Sequence, residues 1–251
     1  MTPTVDELEH AAAAGWRATE EDNLGDWLLR SAAGFTGRAN SVLAAGDPGV
    51  PLTEAIDAVR RWYAARRRPA MIAVPYPAGR PDDSELDRLL AKLGWTIRAD
   101  AATVMTAEPG WVAGQATQAD VTVDFAAQPD QAWLARYHYR GQQLPPVAVQ
   151  LLTSAPWQAF ASVRDSNDTV AIGRVAGTDA WAGLTAIEVA SQHRRRGLGR
   201  TITVALAARA AARGATGLYL QVANGNHGAR ALYRQLGFRD HHGYHYRVAP
   251  D

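Results

Sequence analysis

The chain has 251 residues, of which 47% are hydrophobic and 20% charged. This composition excludes an intrinsically disordered protein, and the length suits one large domain or two small ones. The absence of cysteine excludes disulfides, thiolate catalysis and cysteine-based zinc sites. No apolar run is long enough to span a membrane, and the acidic first ten residues do not resemble a secretory signal. We therefore expect a cytoplasmic protein.

The charges of the chain are balanced, with 26 basic and 25 acidic residues and a formal net charge of +1. Binding to nucleic acid depends on Lys and Arg that neutralise backbone phosphates, and a balanced chain offers no broad basic field. An anionic membrane surface requires a similar basic field. We therefore expect neither nucleic acid nor a membrane as a partner.

The first half of the chain shows the patterns of a mixed α/β unit. Strands are predicted at residues 27–30, 39–43 and 71–74, and a long strand or a hairpin at 95–106. Two helices are predicted from apolar residues that recur every three or four positions, at Leu52, Ile56, Val59 and Tyr63, and at Leu86, Leu89, Leu90 and Leu93.

Residues 108–120 contain proline, glycine and small polar residues without periodicity, which predicts a linker. We therefore divide the chain into a domain at 1–110, a linker at 111–120 and a domain at 121–251. The second domain is predicted to contain strands at 121–125, 159–163, 170–175, 184–190 and 218–222, helices at 131–150 (with a break at 145–146), from 198 to a terminus at 213–214, and at 229–236, and a closing hairpin at 238–248 around Gly243.

The strongest functional pattern is Arg-Arg-Arg-Gly-Leu-Gly-Arg at 194–200, between a predicted strand and a long helix. Glycine lets a ligand approach the backbone closely, and a helix N-terminus presents unpaired N–H groups to phosphate oxygens. Flanking arginines add charge-assisted hydrogen bonds. The spacing matches neither the GxxxxGK[ST] nor the GxGxxG motif. The residues predict a pyrophosphate loop, with a solvated arginine cluster as the alternative.

A second pattern, Asn-x-x-Ala-x-x-Leu-Tyr-x-x-Leu-Gly-Phe, follows at 226–238. Asn226 is placed as a helix N-cap. Tyr233 is either a packed core tyrosine or a residue whose hydroxyl reaches a neighbouring strand end. The two patterns, in this order, resemble the GCN5-related N-acetyltransferase (GNAT) superfamily, and the resemblance covers about residues 121–248.

The resemblance implies an α/β (α+β) fold in which a mixed central sheet, flanked by helices, splays between its fourth and fifth strands. Those strands correspond to 184–190 and 218–222, and acetyl-CoA enters the splay. A weak repeat relates 89–95 to 232–238, so the first half resembles a degenerate copy of the same fold. In that copy Leu90 replaces the tyrosine, and residues 46–51 replace the phosphate loop with an acidic, proline-containing segment.

The resemblance also implies roles for individual residues. Tyr233 corresponds to the acid that protonates the departing thiolate, and the Val189 N–H to the donor that stabilises the tetrahedral oxyanion. Glu188 is the candidate base, acting directly or through water, or else it orients the substrate amine or pairs with an arginine. Asn226 corresponds to an asparagine that contacts the pantetheine arm. The pyrophosphate is expected on the loop formed by Arg194, Arg195, Arg196, Gly197, Leu198, Gly199 and Arg200.

The expected reaction is transfer of an acetyl group from acetyl-CoA to a primary amine of a small molecule, such as an amino-acid derivative, a metabolite or an antibiotic. The alternatives are a protein N-terminus or lysine as the acceptor, and a non-catalytic regulatory protein that binds acyl-CoA. No metal is expected, because His241, His242 and His245 are more typical of edge-strand histidines than of a metal site. We expect a monomer or a homodimer, in which the first domain supplies part of the substrate cleft or a dimer surface.

Overall fold

The computed structural model describes residues 3–79, 84–99, 101–118, 120–138, 144–166, 168–178 and 180–250. The chain divides into two compact units, each built from separate stretches of sequence. The first unit comprises Met1–Val104, Val222–Gly225 and Asp240–Asp251, and the second comprises Met105–Gln221 and Asn226–Arg239. These bounds differ from the linear division expected from the sequence, because the last residues of the chain belong to the first unit.

The elements alternate between helices and strands along most of the chain. The helices are α1 (Val5–Ala14), α2 (Leu52–Ala64), α3 (Glu85–Lys92), α4 (Pro109–Ala113), α5 (Gln131–Arg136), α6 (Val147–Leu152), α7 (Leu198–Ala212) and α8 (His227–Gln235). The strands are β1 (Glu20–Leu24), β2 (Trp27–Ser31), β3 (Val42–Leu43), β4 (Met71–Pro77), β5 (Thr96–Ile97), β6 (Ala102–Ala107), β7 (Asp124–Ala126), β8 (Trp157–Asp165), β9 (Asp168–Gly177), β10 (Trp181–Val189), β11 (Gly217–Ala223) and β12 (Arg239–Val248). Single 3-10 turns cover Arg38–Asn40 and Ser191–His193.

The first unit is built on strands in the order β1-β2-β3-β4-β12, with β5 also paired to β12. The β3–β4 pair is parallel, and the other neighbours are antiparallel. Parallel strands require a crossover connection, which α2 supplies. The helical stripe predicted for α2 is confirmed, since Ile56, Val59 and Tyr63 are buried in the core and Leu52 packs against it.

The stripe predicted for α3 is only partly correct. Leu86 and Leu90 are buried, whereas Leu93 is 42% exposed. Leu93 is the C-cap of α3 and lies beyond the last helical residue, so it leaves the buried face.

The hairpin predicted at 238–248 is wrong, because β12 is one continuous strand that pairs with β4 from His242 to Val248. Gly243 lies inside this strand opposite Tyr76, and a Cβ at that position would overlap the Tyr76 ring. The glycine therefore provides room for a cross-strand aromatic side chain and does not form a turn.

Helix α1 was not predicted, although its N-terminus carries a recognisable signal. The Thr4 side chain accepts a hydrogen bond from the Glu7 N–H, and the Glu7 carboxylate accepts one from the Thr4 N–H at 2.7 Å. This reciprocal arrangement is the capping box that the spacing Thr-x-x-Glu encodes.

The first unit buries two groups of charged side chains that include the three histidines near the C-terminus. The Asp87 carboxylate accepts hydrogen bonds from Arg247 Nε at 2.9 Å and Nη2 at 2.7 Å, and it lies 2.6 Å from His245 Nε2. His242 Nε2 lies 2.7 Å from the Glu9 carboxylate, and the rings of His241 and His242 approach through their Nδ1 atoms at 2.8 Å. Each histidine is therefore engaged by a protein group.

The second unit has the strand order β7-β8-β9-β10-β11, in which only the β10–β11 pair is parallel and α7 is the crossover. The segment predicted as a linker contains α4, whose N-terminus is capped by the Glu108 carboxylate through the N–H groups of Gly110 and Trp111. The helix predicted at 131–150 is two helices, α5 and α6, and residues 139–143 between them lie outside the described part of the chain. None of the helices in the described part of the chain is long and apolar enough to cross a membrane.

Replacement of Asp87 tests the buried cluster of the first unit. Burial alone would raise the pKa of Asp87, but the hydrogen bonds from Arg247 and His245 hold it below its ordinary value. Asp87→Asn would leave the Arg247 charge buried without its partner, so we expect a loss of about 3–5 kcal/mol of unfolding free energy. Urea unfolding at pH 7 measures this loss.

The pH dependence supplies the control for Asp87. A carboxyl group with a lowered pKa stabilises the fold above its ordinary pKa of about 3.9, and this stabilisation is lost as the pH falls through the lower folded-state value. The melting temperature of Asp87→Asn should therefore approach that of the wild type at acidic pH. Asp57→Asn, at an exposed position of α2, should change stability by less than about 0.5 kcal/mol throughout. Equal effects of the two substitutions would contradict the assigned role of Asp87.

Candidate active site

Strands β10 and β11 separate after a short stretch of pairing. Residues Trp181–Leu184 of β10 pair in parallel with residues 217–220 of β11. Residues 185–189, which the structure also describes, do not pair with β11. At the same point the register between β10 and β9 shifts between Thr185 and Glu188, and Ala186 adopts a positive φ of 53°. Such a bulge bends a strand and redirects its backbone groups. The predicted splay is confirmed, and it begins at the bulge.

The ladder between β9 and β10 fixes the direction of the Val189 backbone. The Ala190 N–H donates to the Val170 carbonyl oxygen at 2.8 Å, so the backbone groups of Ala190 face β9. Successive residues of a strand direct their N–H and C=O groups to opposite sides. The Val189 N–H therefore points away from β9, to the side from which β11 has separated. It has no hydrogen-bond partner among the described residues.

The side chains of Val189 and Glu188 lie on opposite faces of β10 because side chains alternate along a strand. On the Val189 face, α7 and α8 approach each other closely at Gly199. A Cβ at Gly199 would lie 3.3 Å from Leu232 Cδ2 and 3.9 Å from Val189 Cγ2. Glycine at this position therefore allows the start of α7 to pack near both β10 and α8.

On the other face, Glu188 contacts His138, the second residue after α5. The His138 backbone N–H donates to Glu188 Oε2 at 2.9 Å, and His138 Nδ1 lies 3.4 Å from Glu188 Oε1. The sequence had indicated Glu188 but not His138, because the two residues are 50 positions apart and nothing in the local pattern pairs them.

The loop before α7 presents backbone donors. Gly197 is the N-cap with φ of 77°, a left-handed conformation that favours glycine, and no side chain caps the helix. The Thr201 N–H donates to the Gly197 carbonyl oxygen at 3.0 Å. The preceding N–H groups of Leu198, Gly199 and Arg200 are the unpaired donors of the first helical turn. The geometry at 197–200 is that of an anion site at a helix N-terminus.

The arginine side chains around this loop are not equivalent. Arg200 donates through Nε to the Ala116 carbonyl oxygen at 2.8 Å and through Nη2 to Gln115 Oε1 at 3.2 Å. Arg194 donates through Nε to the Val189 carbonyl oxygen at 3.2 Å. Arg195 and Arg196 are exposed. The side chain of Arg200 therefore fastens the loop to the segment after α4, and its backbone N–H remains the group available to an anion.

A cavity of about 350 Å³ borders the same loop. Arg196 and Leu198 belong to both the cavity wall and the loop. Across the cavity His193 Nε2 lies 3.4 Å from an Asp165 carboxylate oxygen, so the wall carries charges of both signs.

Helix α8 holds the other two residues that the sequence indicated. The Asn226 side chain accepts a hydrogen bond from the Ala229 N–H at 3.1 Å, which confirms its placement as the N-cap. Tyr233 is 8% exposed, and its ring centroid lies 5.8 Å from that of Phe238. Burial raises the pKa of Tyr233 to about 12, so its hydroxyl keeps its proton at neutral pH. The hydroxyl has no hydrogen-bond partner among the described residues.

The first unit contains the counterpart of the α8 terminus. The Phe238 N–H donates to the Tyr233 carbonyl oxygen at 3.0 Å after Gly237 with positive φ, and the Trp95 N–H donates to the Leu90 carbonyl oxygen at 3.0 Å after Gly94 with positive φ. Both are the glycine C-cap in which a backbone N–H reaches back across the last turn. Leu90 and Tyr233 therefore occupy the same position of one local structure.

The segment before α2 differs from the loop before α7. The Gly49 N–H donates to the Asp47 carboxylate two residues earlier at 2.8 Å, and the Asp47 N–H donates to the Asp26 carboxylate at 2.9 Å. Helix α2 begins after Pro51 and carries Glu54 in its first turn. This segment presents carboxylates where the other presents unpaired N–H groups.

Comparisons with known proteins agree with this geometry. Residues 2–247 match the family described as "Probable histone acetyltransferase Rv0428c C-terminal". The Mycobacterium tuberculosis protein named "Probable histone acetyltransferase Rv0428c" is 34% identical over 99% of this chain and 74% of its own length. The Bacillus subtilis protein named "Uncharacterized N-acetyltransferase YobR" is 26% identical over 97% of this chain and 98% of its own length.

Solved structures show the same fold. A GCN5-related N-acetyltransferase from Kribbella flavida superposes with a TM-score of 0.72 at 20% identity, covering 100% of this chain and 97% of that one. A tandem GNAT protein from the clavulanic acid biosynthesis pathway superposes with a TM-score of 0.63 at 17% identity, covering 79% of this chain and 70% of that one. With a match over residues 2–247 and a curated relative above 30% identity, the chain belongs to the Rv0428c C-terminal family of GCN5-related N-acetyltransferases and is an acyltransferase.

Proposed function

We propose that the second unit transfers an acetyl group from acetyl-CoA to a primary amine of a small, cationic molecule. One observation carries the proposal: the Val189 N–H points into the opening between β10 and β11, next to the unpaired N–H groups that begin α7. An acyl transfer needs a donor for the developing oxyanion and a site for the anionic end of the acyl carrier, and these two features supply both.

The pyrophosphate of acetyl-CoA would bind the backbone N–H groups of Leu198, Gly199 and Arg200, with Arg195 and Arg196 exposed beside them. Gly197 brings the chain into the helix without a side chain that would keep the phosphates away. The amide of Asn226 is available to the pantetheine arm through its Nδ2, since its Oδ1 already caps α8. These donor groups require no metal ion.

In the acyl-transfer step the amine nitrogen attacks the thioester carbon, and the carbonyl oxygen becomes an oxyanion that the Val189 N–H stabilises. Tyr233 then protonates the leaving thiolate. Burial holds the pKa of Tyr233 at about 12, whereas an ordinary thiol has a pKa of about 8.5, so donation to an isolated thiolate would be unfavourable. The proposed transfer is therefore coupled to the loss of a proton from the attacking nitrogen, which restores the tyrosine.

Glu188 supplies a negative charge on the face of β10 opposite Val189. A carboxylate there would attract an acceptor that arrives as an ammonium ion, which supports an amine as the acceptor. The acceptor must lose a proton before it attacks, because an ammonium nitrogen has no lone pair. We therefore propose that the base is either Glu188, as the sequence indicated, or His138, which Glu188 contacts.

A protein lysine is the second candidate acceptor, because the M. tuberculosis relative is named a probable histone acetyltransferase. A histone tail is strongly basic, and a net charge of +1 provides no acidic field to attract it. This balance favours a small amine. A panel of small amines and one histone-tail peptide, assayed with acetyl-CoA by release of free thiol, distinguishes the two. Retained binding of acetyl-CoA without turnover on any acceptor would indicate a regulatory protein instead.

The number of acetyl-CoA sites tests the proposal that the first unit is a degenerate copy. The carboxylates of Asp47 and Glu54, together with that of Asp26 bonded to the Asp47 N–H, would repel a pyrophosphate at the start of α2, so we expect one site per chain. Isothermal titration calorimetry measures this number. A stoichiometry of two would show that the segment before α2 binds the nucleotide despite these charges.

Gly197→Asp should strongly weaken acetyl-CoA binding while the fold survives. The substitution places a side chain at a left-handed position and a carboxylate beside the phosphates, and both effects oppose binding. We expect an affinity loss of at least a hundredfold, or about 2.7 kcal/mol. Gly214→Asp, at another positive-φ glycine with open space around it, is the matched control for backbone strain. Similar affinities for the two variants would mean that 194–200 does not bind the nucleotide.

Tyr233→Phe should lower kcat by roughly ten- to a thousandfold, or about 1.4–4 kcal/mol of barrier, because it removes the proton donor and keeps the ring. The melting temperature and the affinity for acetyl-CoA should be nearly unchanged, since the hydroxyl has no hydrogen-bond partner among the described residues. The loss should be the same for every accepted amine, because the leaving thiol is always the same. Wild-type turnover by this variant would show that Tyr233 is only a packed tyrosine.

A further inference from the structure

His138, which the sequence did not indicate, is held in one orientation by contacts with Glu188 and Arg136. Its backbone N–H donates to Glu188 Oε2 at 2.9 Å. Its ring atom Nδ1 lies 2.8 Å from the Arg136 carbonyl oxygen and 3.4 Å from Glu188 Oε1. The backbone and the ring of His138 are therefore both fixed relative to β10.

The contact with Arg136 determines which ring nitrogen carries the proton. A carbonyl oxygen can only accept, so at 2.8 Å Nδ1 must donate and must hold the hydrogen. In the neutral imidazole the lone pair then belongs to Nε2. Nε2 has no hydrogen-bond partner among the described residues. The site thus contains an imidazole oriented as a proton acceptor.

Exposure distinguishes His138 from Glu188 as the group that meets the acceptor. The His138 side chain is 48% exposed, whereas that of Glu188 is 26% exposed. Both carboxylate oxygens of Glu188 are directed at His138, one at its N–H and the other at Nδ1. The imidazole is therefore the more accessible of the two groups, and the carboxylate is in position to stabilise the imidazolium that forms when Nε2 takes a proton.

We propose that His138 Nε2 is the general base that deprotonates the acceptor amine, and that Glu188 positions His138 and attracts the ammonium ion. This inference rests on the proposed amine acetyltransferase activity and assigns its base. His138 becomes a catalytic residue, whereas Glu188 acts on the proton transfer through His138.

The proton count of the reaction is consistent with this assignment. The acceptor arrives as an ammonium ion and gives one proton to His138 Nε2. Its lone pair forms the C–N bond, and the C–S bond breaks as the intermediate collapses. The thiolate takes the Tyr233 proton, and the second nitrogen proton returns to Tyr233. His138 then releases its proton to water, so the net products are the amide, the free thiol and one proton.

His138→Asn is the first test, because its amide can keep the hydrogen bond to the Arg136 carbonyl oxygen while the basic Nε2 is removed. We expect kcat to fall at least a hundredfold, with the affinity for acetyl-CoA unchanged. His138→Ala should show the same loss and should recover part of its turnover when imidazole is added to the assay. His10→Asn, at an exposed position of α1 in the first unit, should retain wild-type turnover.

Glu188→Gln separates the positioning role from direct catalysis. The Gln carbonyl oxygen still accepts the His138 N–H, so we expect kcat to fall less than in His138→Asn, with a larger change in KM for the amine. The double variant should be no slower than His138→Asn alone, because two residues that act through one proton transfer are not additive. Additive losses would show that Glu188 removes the proton itself and would overturn the assignment of His138.

The outcomes distinguish this inference from the proposed function. If the wild-type protein turns over an amine and His138→Asn does so equally well, only the assignment of His138 is wrong. Loss of turnover in His138→Ala without any recovery by imidazole, together with reduced acetyl-CoA affinity, would show that His138 is a structural residue. If the wild-type protein releases no thiol with any amine in the panel, the acetyltransferase proposal fails, and the assignment of His138 fails with it.

Discussion

The site depends on the point at which β10 stops pairing with β11. Four residues of β10 pair with β11. The bulge that follows, with Ala186 at a positive φ, bends the strand before it reaches Val189. Continued pairing would use the Val189 N–H in the ladder and would leave no room beside it. The break in pairing thus releases a backbone donor and opens a gap at the same residue.

The two units share two local features and differ in the charges that precede the crossover helix. Each contains one parallel strand pair whose crossover helix follows a glycine-containing segment. In the second unit that segment leaves the first N–H groups of α7 unpaired, whereas in the first unit Asp26 and Asp47 accept N–H groups of the segment before α2. The glycine C-caps at Gly94 and Gly237 are alike, yet only the second is preceded by a tyrosine. The units therefore share local structure and differ in whether carboxylates or unpaired N–H groups precede the crossover helix.

Local chemistry decided what could be predicted from the sequence. Gly197 and Asn226 each begin the helix that follows them, so their places at helix N-termini were predictable from spacing alone. Contacts between residues that are far apart in the chain could not be predicted in this way. The glycine at 243 looked like a turn because Tyr76, which explains it, lies on β4. The pairing of His138 with Glu188 joins positions 50 residues apart, and the bulge at Ala186 comes from ladder geometry that the letters do not encode.

The alternation of side chains along a strand explains why the proposed acid and the proposed base lie on opposite faces of β10. Val189 and Glu188 are adjacent on β10, so their side chains face opposite sides of the sheet, with α7 and α8 on the first side and His138 on the other. In the proposed reaction, the groups that bind the acyl carrier and protonate its thiol would therefore lie on the Val189 side. The groups proposed to attract and deprotonate the amine would lie on the Glu188 side. In the proposed reaction the two nitrogen protons therefore leave toward opposite faces of β10, one to the base His138 and the other to the acid Tyr233.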